Sequence, residues 1–170
     1  MKALLPTFGR NIIGLKLGHA VGIWDKREPT LNWGRIVKLF WWTMNRDTAR
    51  SMHLFDAMYN DMRYDPHMAM EDTGTTKVFV GDILSVSRSH RGMKLGTALT
   101  LRSMELARAK CCDCYFAILT SNYSQRIYRE LGFTWLKECA YASIKDRNGK
   151  EVLSDVGEHK SMICAYKRLP

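Results

Sequence analysis

The sequence predicts a single α/β (α+β) domain over residues 1–170, with strands and helices alternating through its second half. Three observations carry this. Residues 77–87 (KVFVGDILSVS) are mostly apolar and rich in β-branched side chains, as expected of a strand inside a sheet. Gly92 and Gly96 then lead into residues 97–110, where leucines and alanines recur at helical intervals. Residues 114–119 (CYFAIL) form a second short apolar run, followed by a helix from about Ser124 to Leu131 that ends at Gly132.

The remaining elements fall into order around this unit. Residues 11–18 (NIIGLKLG) are rich in Ile and Leu and read as a short strand, which residues 21–24 extend or turn. Residues 25–32 carry Pro29 and several charges, the composition of a loop, and the bulky apolar residues 36–42 are assigned to a helix. Between 47 and 62, Met52, Phe55, Met58, Tyr59 and Met62 recur at steps of three and four, one face of an amphipathic helix expected to stop before Pro66. Residues 71–76 read as a polar turn. On the helix at 97–110, Ala98, Leu99, Leu101 and Leu106 are the side chains expected to face the sheet. Residues 133–144 resume extended structure, Asn148-Gly149 is a turn signal that pairs 139–145 with 150–153, and residues 161–167 (SMICAYK) close the domain as a last strand.

Composition narrows the class of protein. With 46% hydrophobic and 25% charged residues the chain is ordinary for a globular domain, and repeats and low-complexity linkers are lacking. The 26 Lys and Arg against 17 Asp and Glu leave a net charge of +9, a field that draws in polyanions such as nucleic acid, an anionic membrane or coenzyme A. No basic run and no base-reading motif supports the first, and no apolar run approaches the ~20 residues of a membrane span. The expected partners are therefore small molecules, with neither nucleic acid nor membrane among them. Lys16 and His19 interrupt the apolar stretch at 12–24, so it does not read as a leader, and five cysteines, an odd number, suit a reducing cytoplasm. Cys111 and Cys114 form one C-x-x-C pair, but Cys139 and Cys164 stand alone, so the cysteines are read as packing around a strand and no metal is expected.

The chemistry concentrates in Arg88-Ser89-His90-Arg91-Gly92-Met93-Lys94-Leu95-Gly96-Thr97, between a strand and a helix. Glycines let backbone N–H groups converge on an anion, and the helix N-terminus adds unsatisfied donors and positive dipole. This is a phosphate-binding turn. Its Arg91-Gly92-Met93-Lys94-Leu95-Gly96 core resembles the acetyl-CoA signature of the GNAT superfamily: Arg or Gln, two variable residues, Gly, one variable, Gly or Ala. Lys94 replaces the middle glycine. Further on, Tyr128-Arg129-Glu130-Leu131-Gly132-Phe133 resembles the family's Tyr-x-x-x-Gly-Phe segment. Within the superfamily the sequence looks most like the invertebrate arylalkylamine N-acyltransferases, on Leu119-Thr120-Ser121-Asn122-Tyr123-Ser124 and His159-Lys160-Ser161-Met162.

The resemblance implies a GNAT fold, a mixed central sheet splayed at the acetyl-CoA site with helices on its flanks, acting as a monomer or homodimer. It implies acetyl transfer to a primary amine, an arylalkylamine, by direct attack on the thioester. Acetyl-CoA contacts then fall to Leu84, Val86, Arg91, Gly92, Met93, Lys94, Leu95, Gly96, Thr97 and Ser121, with a backbone N–H such as that of Val86 polarising the thioester carbonyl. Tyr128 would protonate the departing thiolate. Relatives place two serines four apart near the amine; the matching positions here are Thr120 and Ser124, and Ser124 also suits a helix cap. Their glutamate base lies in a segment before the first strand found here, so a shortened chain or a replaced base is expected, with Glu71, His53 and Asp82 as weak substitutes. Trp33, Phe40, Trp41 and Trp42 would cover apolar surface or bind an aromatic amine. Two alternatives stay open: a catalytically weak acetyl-CoA-binding module, and a transferase acting on protein or peptide amines.

Overall fold

The computed structural model describes residues 2–4, 7–8, 11–12, 14–22, 62, 64–145, 149, 151, 153 and 156–170. The segments predicted as helices at 36–42 and 47–62, and the tryptophan patch, lie outside the described residues apart from Met62. The order is β1 (Lys2–Leu4), β2 (Thr7–Phe8), β3 (Asn11–Ile12), β4 (Gly14–Gly22), α1 (Pro66–Thr73), β5 (Lys77–Val86), α2 (Leu95–Ala109), β6 (Cys114–Leu119), α3 (Asn122–Glu130), β7 (Thr134–Ala140) and β8 (Ser161–Arg168). Six of the strands form one sheet in the order β1-β4-β5-β6-β8-β7, while β2 and β3 pair separately. Every pairing is antiparallel except that of β5 with β6.

Strand alternation splits the core in two. Val78 and Val80 of β5, Cys114 and Phe116 of β6, and Met162 and Cys164 of β8 meet Ala69 and Met70 of α1 on one face. Phe79, Tyr115, Ala117, Leu119 and Ala165 meet Met104 and Ala107 of α2 and Tyr128 of α3 on the other. Both faces of the sheet are thus covered by helix, which explains why successive residues of β5, β6 and β8 are apolar over 78–80, 114–119 and 162–165. Cys114 and Cys164 pack as core side chains, and all five cysteines are free thiols.

Several sequence expectations are corrected. A helix not expected from the sequence begins at Pro66: the proline occupies the first turn of α1, where a missing N–H costs nothing, and the Asp65 carboxylate caps the turn by accepting from Met68 N at 2.9 Å. The polar turn predicted at 71–76 is therefore the last turn of α1 plus its left-handed terminator, Gly74. Residues 11–18 are two strands, and the second continues to Gly22. On α2 the buried face is Gly96, Leu99, Thr100, Ser103, Met104 and Ala107, whereas Ala98 and Leu101 are exposed. Counting only large apolar residues hid this stripe, because four of its six residues, Gly96, Thr100, Ser103 and Ala107, are small or hydroxylated. Extended structure from 133 ends at Ala140, where a 3-10 turn at Tyr141–Ser143 follows. Of the expected hairpin of 139–145 with 150–153, the described residues include one bridge, between Lys145 and Glu151, while residues 139 and 140 pair with β8 instead. Among the described residues no helix is long and apolar enough to cross a membrane.

The two parallel strands are tied together at their starts and part at their ends. Asp113, just ahead of β6, accepts from Thr76 N at 2.8 Å, Thr76 Oγ1 at 2.8 Å and Lys77 N at 2.9 Å. From there the ladder runs only from Val78↔Cys114 to Gly81↔Ala117. Beyond Gly81 the strands separate, while β4 stays paired with β5 to Val86. The fork coincides with a bulge: Leu17 pairs with Ile83 and Gly18 with Gly81, so Asp82 is the extra residue.

The bond from the Thr76 hydroxyl, followed by those from backbone amides, holds the Asp113 carboxyl below its ordinary range. A carboxyl with a depressed folded-state pKa stabilises the fold above its unfolded value of about 3.9 and loses that contribution as pH falls through the folded value. Asp113→Asn should therefore lower stability at pH 7 by about 1 kcal/mol, after allowance for solvent screening at this exposed site. Denaturant titrations of both proteins at pH 7 and pH 2.5 check this, and the difference should shrink at the lower pH.

Candidate active site

The fork opens into a cleft of about 610 Å³ bounded by the far end of β5, the turn at 90–97 and the first turns of α3. Leu84 and Val86 reach it from β5. The turn is shaped by two left-handed residues, Gly92 at φ 81° and Lys94 at φ 55°. Glycine adopts that conformation freely, while for lysine it costs about 1 kcal/mol. Lys94 is also the N-cap of α2, and its side chain makes no capping bond, so its ammonium stands on the cleft wall.

Backbone donors converge there. The first bond closing a turn of α2 runs from Ala98 N to Lys94 O at 3.0 Å, so the N–H groups of Leu95, Gly96 and Thr97 have no carbonyl a turn behind them. With the dipole of a 15-residue helix behind them, these amides favour an anion. The side chains add to the field: Arg91, Lys94 and Arg126 line the cleft against the single carboxylate of Glu130. Gly96 permits α2 and α3 to approach, since a Cβ there would stand 2.8 Å from Ile127 Cδ1.

The opposite wall is the start of α3, held by a reciprocal cap. Ser121 Oγ accepts from Ser124 N at 3.2 Å, and Ser124 Oγ accepts from Ser121 N at 3.3 Å. Ser121, not Ser124, is therefore the N-cap, and the Ser124 hydroxyl is also bonded to Ser121 O at 2.9 Å. The segment before β8 anchors this helix: Asn122 N donates to His159 Nδ1 at 3.3 Å, Asn122 Nδ2 to Glu158 O at 2.7 Å, and the Tyr123 hydroxyl to the Glu158 carboxylate.

Of the residues singled out from sequence, Leu84, Val86, Arg91, Gly92, Lys94, Leu95, Gly96, Thr97, Ser121 and Ser124 all line the cleft. Met93 does not; it is 63% exposed and forms no part of the wall. Thr120 also stands off it, with its carbonyl accepting from Tyr141 OH at 2.7 Å. Tyr128 is buried below the cleft, at 1% exposure. Burial, the leading cause, pushes its phenol well above the ordinary value, so it holds its proton at neutral pH. Sequence reasoning passed over Tyr123, Arg126, Ile127 and Glu130 as wall residues. Their signal was present in the three- and four-residue steps from Ser124, which put Ile127 and Glu130 near it on one helix face.

The matches to known proteins fit this geometry. Residues 61–133, which include both the turn and Tyr128, match the model of the acetyltransferase (GNAT) family. This stretch, and not the rest of the chain, carries the match to a GNAT acetyltransferase domain. The chain's fold matches that of arylalkylamine N-acetyltransferase 2 from Aedes aegypti at a TM-score of 0.71 and 22% identity, over 94% of this chain and 69% of the other. Drosophila melanogaster polyamine N-acetyltransferase matches at 0.69 and 17%, over 97% and 73% of the two chains. Mosquito arylalkylamine N-acetyltransferase-like 5b matches at 0.64 and 19%, over 93% and 69%. The mixed α/β fold and the GNAT assignment read from sequence are thus borne out. Among the described residues no group of three or more His, Cys, Asp or Glu is placed to hold a metal ion.

The strained backbone at Lys94 makes a test of the turn. Lys94→Gly should raise Tm by roughly 2–4 °C, the equivalent of about 1 kcal/mol in a domain of this size, as measured by scanning calorimetry.

Proposed function

We propose that this domain transfers the acetyl group of acetyl-CoA to a small primary amine, an arylalkylamine or a relative of that class. The observation that carries the reading is the convergence of unbonded N–H groups at Leu95–Thr97, cationic side chains and an unpaired strand edge on one cleft beside the β5/β6 fork. The pyrophosphate would sit on the turn amides, flanked by Arg91 and Lys94. The pantetheine arm would lie along β5 beyond Gly81, where that strand has lost its partner, and bond to it as an added strand would. This directs the thioester toward the apex of the fork, close to the Tyr128 hydroxyl.

There the amine attacks the thioester carbon directly, and the sulfur leaves with the proton of Tyr128. The phenol suits this role because it is fully protonated at neutral pH. Similarity to arylalkylamine and polyamine N-acetyltransferases supports an amine acceptor.

Calorimetric titration with acetyl-CoA should show binding, and Arg91→Glu should weaken it tenfold or more, on the order of 1.4 kcal/mol, by repelling a phosphate. A thiol-release assay with dopamine, tryptamine and spermidine then tests turnover. Release above the amine-free rate with at least one of them is the expected result; binding without turnover would instead identify an acetyl-CoA-binding module, and turnover on peptides alone a protein acetyltransferase. Tyr128→Phe should lower kcat by about a hundredfold while leaving acetyl-CoA affinity within twofold.

A further inference from the structure

A cluster of polar side chains is enclosed beneath the cleft. Lys16 of β4, Tyr128 of α3, Tyr115 of β6 and Ser103 of α2 are each at most 2% exposed. Lys16 Nζ donates to the Tyr128 oxygen at 2.8 Å. The Tyr115 and Ser103 hydroxyls are bonded at 2.9 Å, and Tyr128 is in hydrogen-bond contact with Tyr115 and Thr100. Nζ also lies 5.8 Å and 5.5 Å from the ring centroids of Tyr115 and Tyr128, within cation–π range.

A lysine is among the side chains least often fully buried, and desolvating an ammonium costs several kcal/mol. A core that required only filling at this point would be served by methionine, which has nearly the same reach and no charge to desolvate. The location gives the charge its meaning. A Cβ on Gly81 would stand 2.5 Å from the Tyr115 hydroxyl and 2.9 Å from Lys16 Nζ, so both groups lie directly over the last rung of the parallel ladder. Only a residue without a side chain leaves room for them there. The ammonium is thus at the apex of the fork, against the phenol that the acetyl-transfer reading uses as its acid.

We propose, on the basis of that reading, that Lys16 is a positioning residue for proton delivery by Tyr128. By donating to the phenol oxygen it fixes which lone pair is occupied, so the phenol's own hydrogen is left to point elsewhere. In the transfer step the amine nitrogen forms a bond to the thioester carbon and the C–S bond breaks. The sulfur takes the electron pair and then the Tyr128 proton, giving the thiol, the amide and a phenolate. The surplus proton of the amine passes to water, and the phenolate regains one from water. Lys16 acts on the intermediate state, because its bond to a phenolate is charge-assisted and stronger than its bond to the phenol. The groups that face Tyr128 are Lys16 from β4, Asp82 from β5, Tyr115 from β6 and Thr100 from α2. Burial, first, and the Asp82 charge favour the protonated phenol, while the hydrogen bonds with Tyr115 and Thr100 oppose them.

Lys16→Met and Lys16→Gln test this, with Tyr128 followed by carbon NMR of ring-labelled tyrosine and its signal assigned by loss in Tyr128→Phe. In Lys16→Met the Tyr128 Cζ signal at neutral pH should shift as the hydrogen bond from Nζ is lost, kcat should fall about tenfold, and the KM for acetyl-CoA should stay within twofold. Lys16→Gln, which keeps a donor without the charge, should fall between. Thermal stability should be equal to or above the parent's, because an isosteric apolar side chain replaces a buried charge. Adding Lys16→Met to Tyr128→Phe should lower kcat no further. A Tyr128 signal that does not move at neutral pH, or kcat losses that multiply in the double variant, would overturn the role of Lys16. The phenol signal is read without substrate, so the two proposals fail separately: an unmoved signal in an active enzyme removes Lys16 alone, whereas a wild-type protein without turnover removes acetyl transfer and the proposed role with it.

Discussion

The parting of β5 from β6 after Gly81 and Ala117 is the constraint on which the rest of the site depends. Two adjacent parallel strands ordinarily continue to share hydrogen bonds, and separating them leaves backbone groups to be satisfied by something else. Here the separation is built in from both ends. Asp113 ties the strands where they begin, and the bulge at Asp82 changes the twist and direction of β5 where they divide. Because β4 follows β5 through the bulge as far as Val86, one edge of β5 remains paired while the other is open. The result is a rigid notch rather than a frayed sheet.

The helices then give the notch its chemistry. The N-terminus of α2 faces it with unbonded amides, and the N-terminus of α3 forms the other wall under a reciprocal serine cap. Gly96 sets the distance between them. Below, the hydroxyls of Tyr115, Tyr128, Thr100 and Ser103 and the Lys16 ammonium satisfy one another in a dry interior, where each such interaction is stronger than in water and each unpaired group would be expensive. The upper part of the site is thus suited to binding phosphates and the lower part to handling a proton.

Lys94 shows how a departure from a motif can be compatible with its geometry. The backbone there adopts the left-handed conformation that glycine would supply, and the strain accompanies a gain of one ammonium on the cleft wall. Pro66 teaches the complementary lesson. Taken only as a boundary for what precedes it, the residue gave no sign of the helix that follows, because proline is disfavoured inside a helix yet well suited to its first turn, and the Asp65 cap and the packing of Ala69 and Met70 show that it opens one.

The sequence by itself determined the strand–turn–helix–strand–helix unit from 77 to 132 and the place of the glycine-bearing turn within it, because those features depend on local periodicity and on glycines close together in the chain. Tertiary structure alone decided what lies across the sheet. Lys16 stands 112 residues from Tyr128 in sequence, and its contact with that phenol follows from the register of β4 on β5, which no local pattern encodes. The same holds for the small and hydroxylated stripe of α2 and for the fork itself. These arise from how strands pair and which faces meet, and those choices are made by contacts between distant segments.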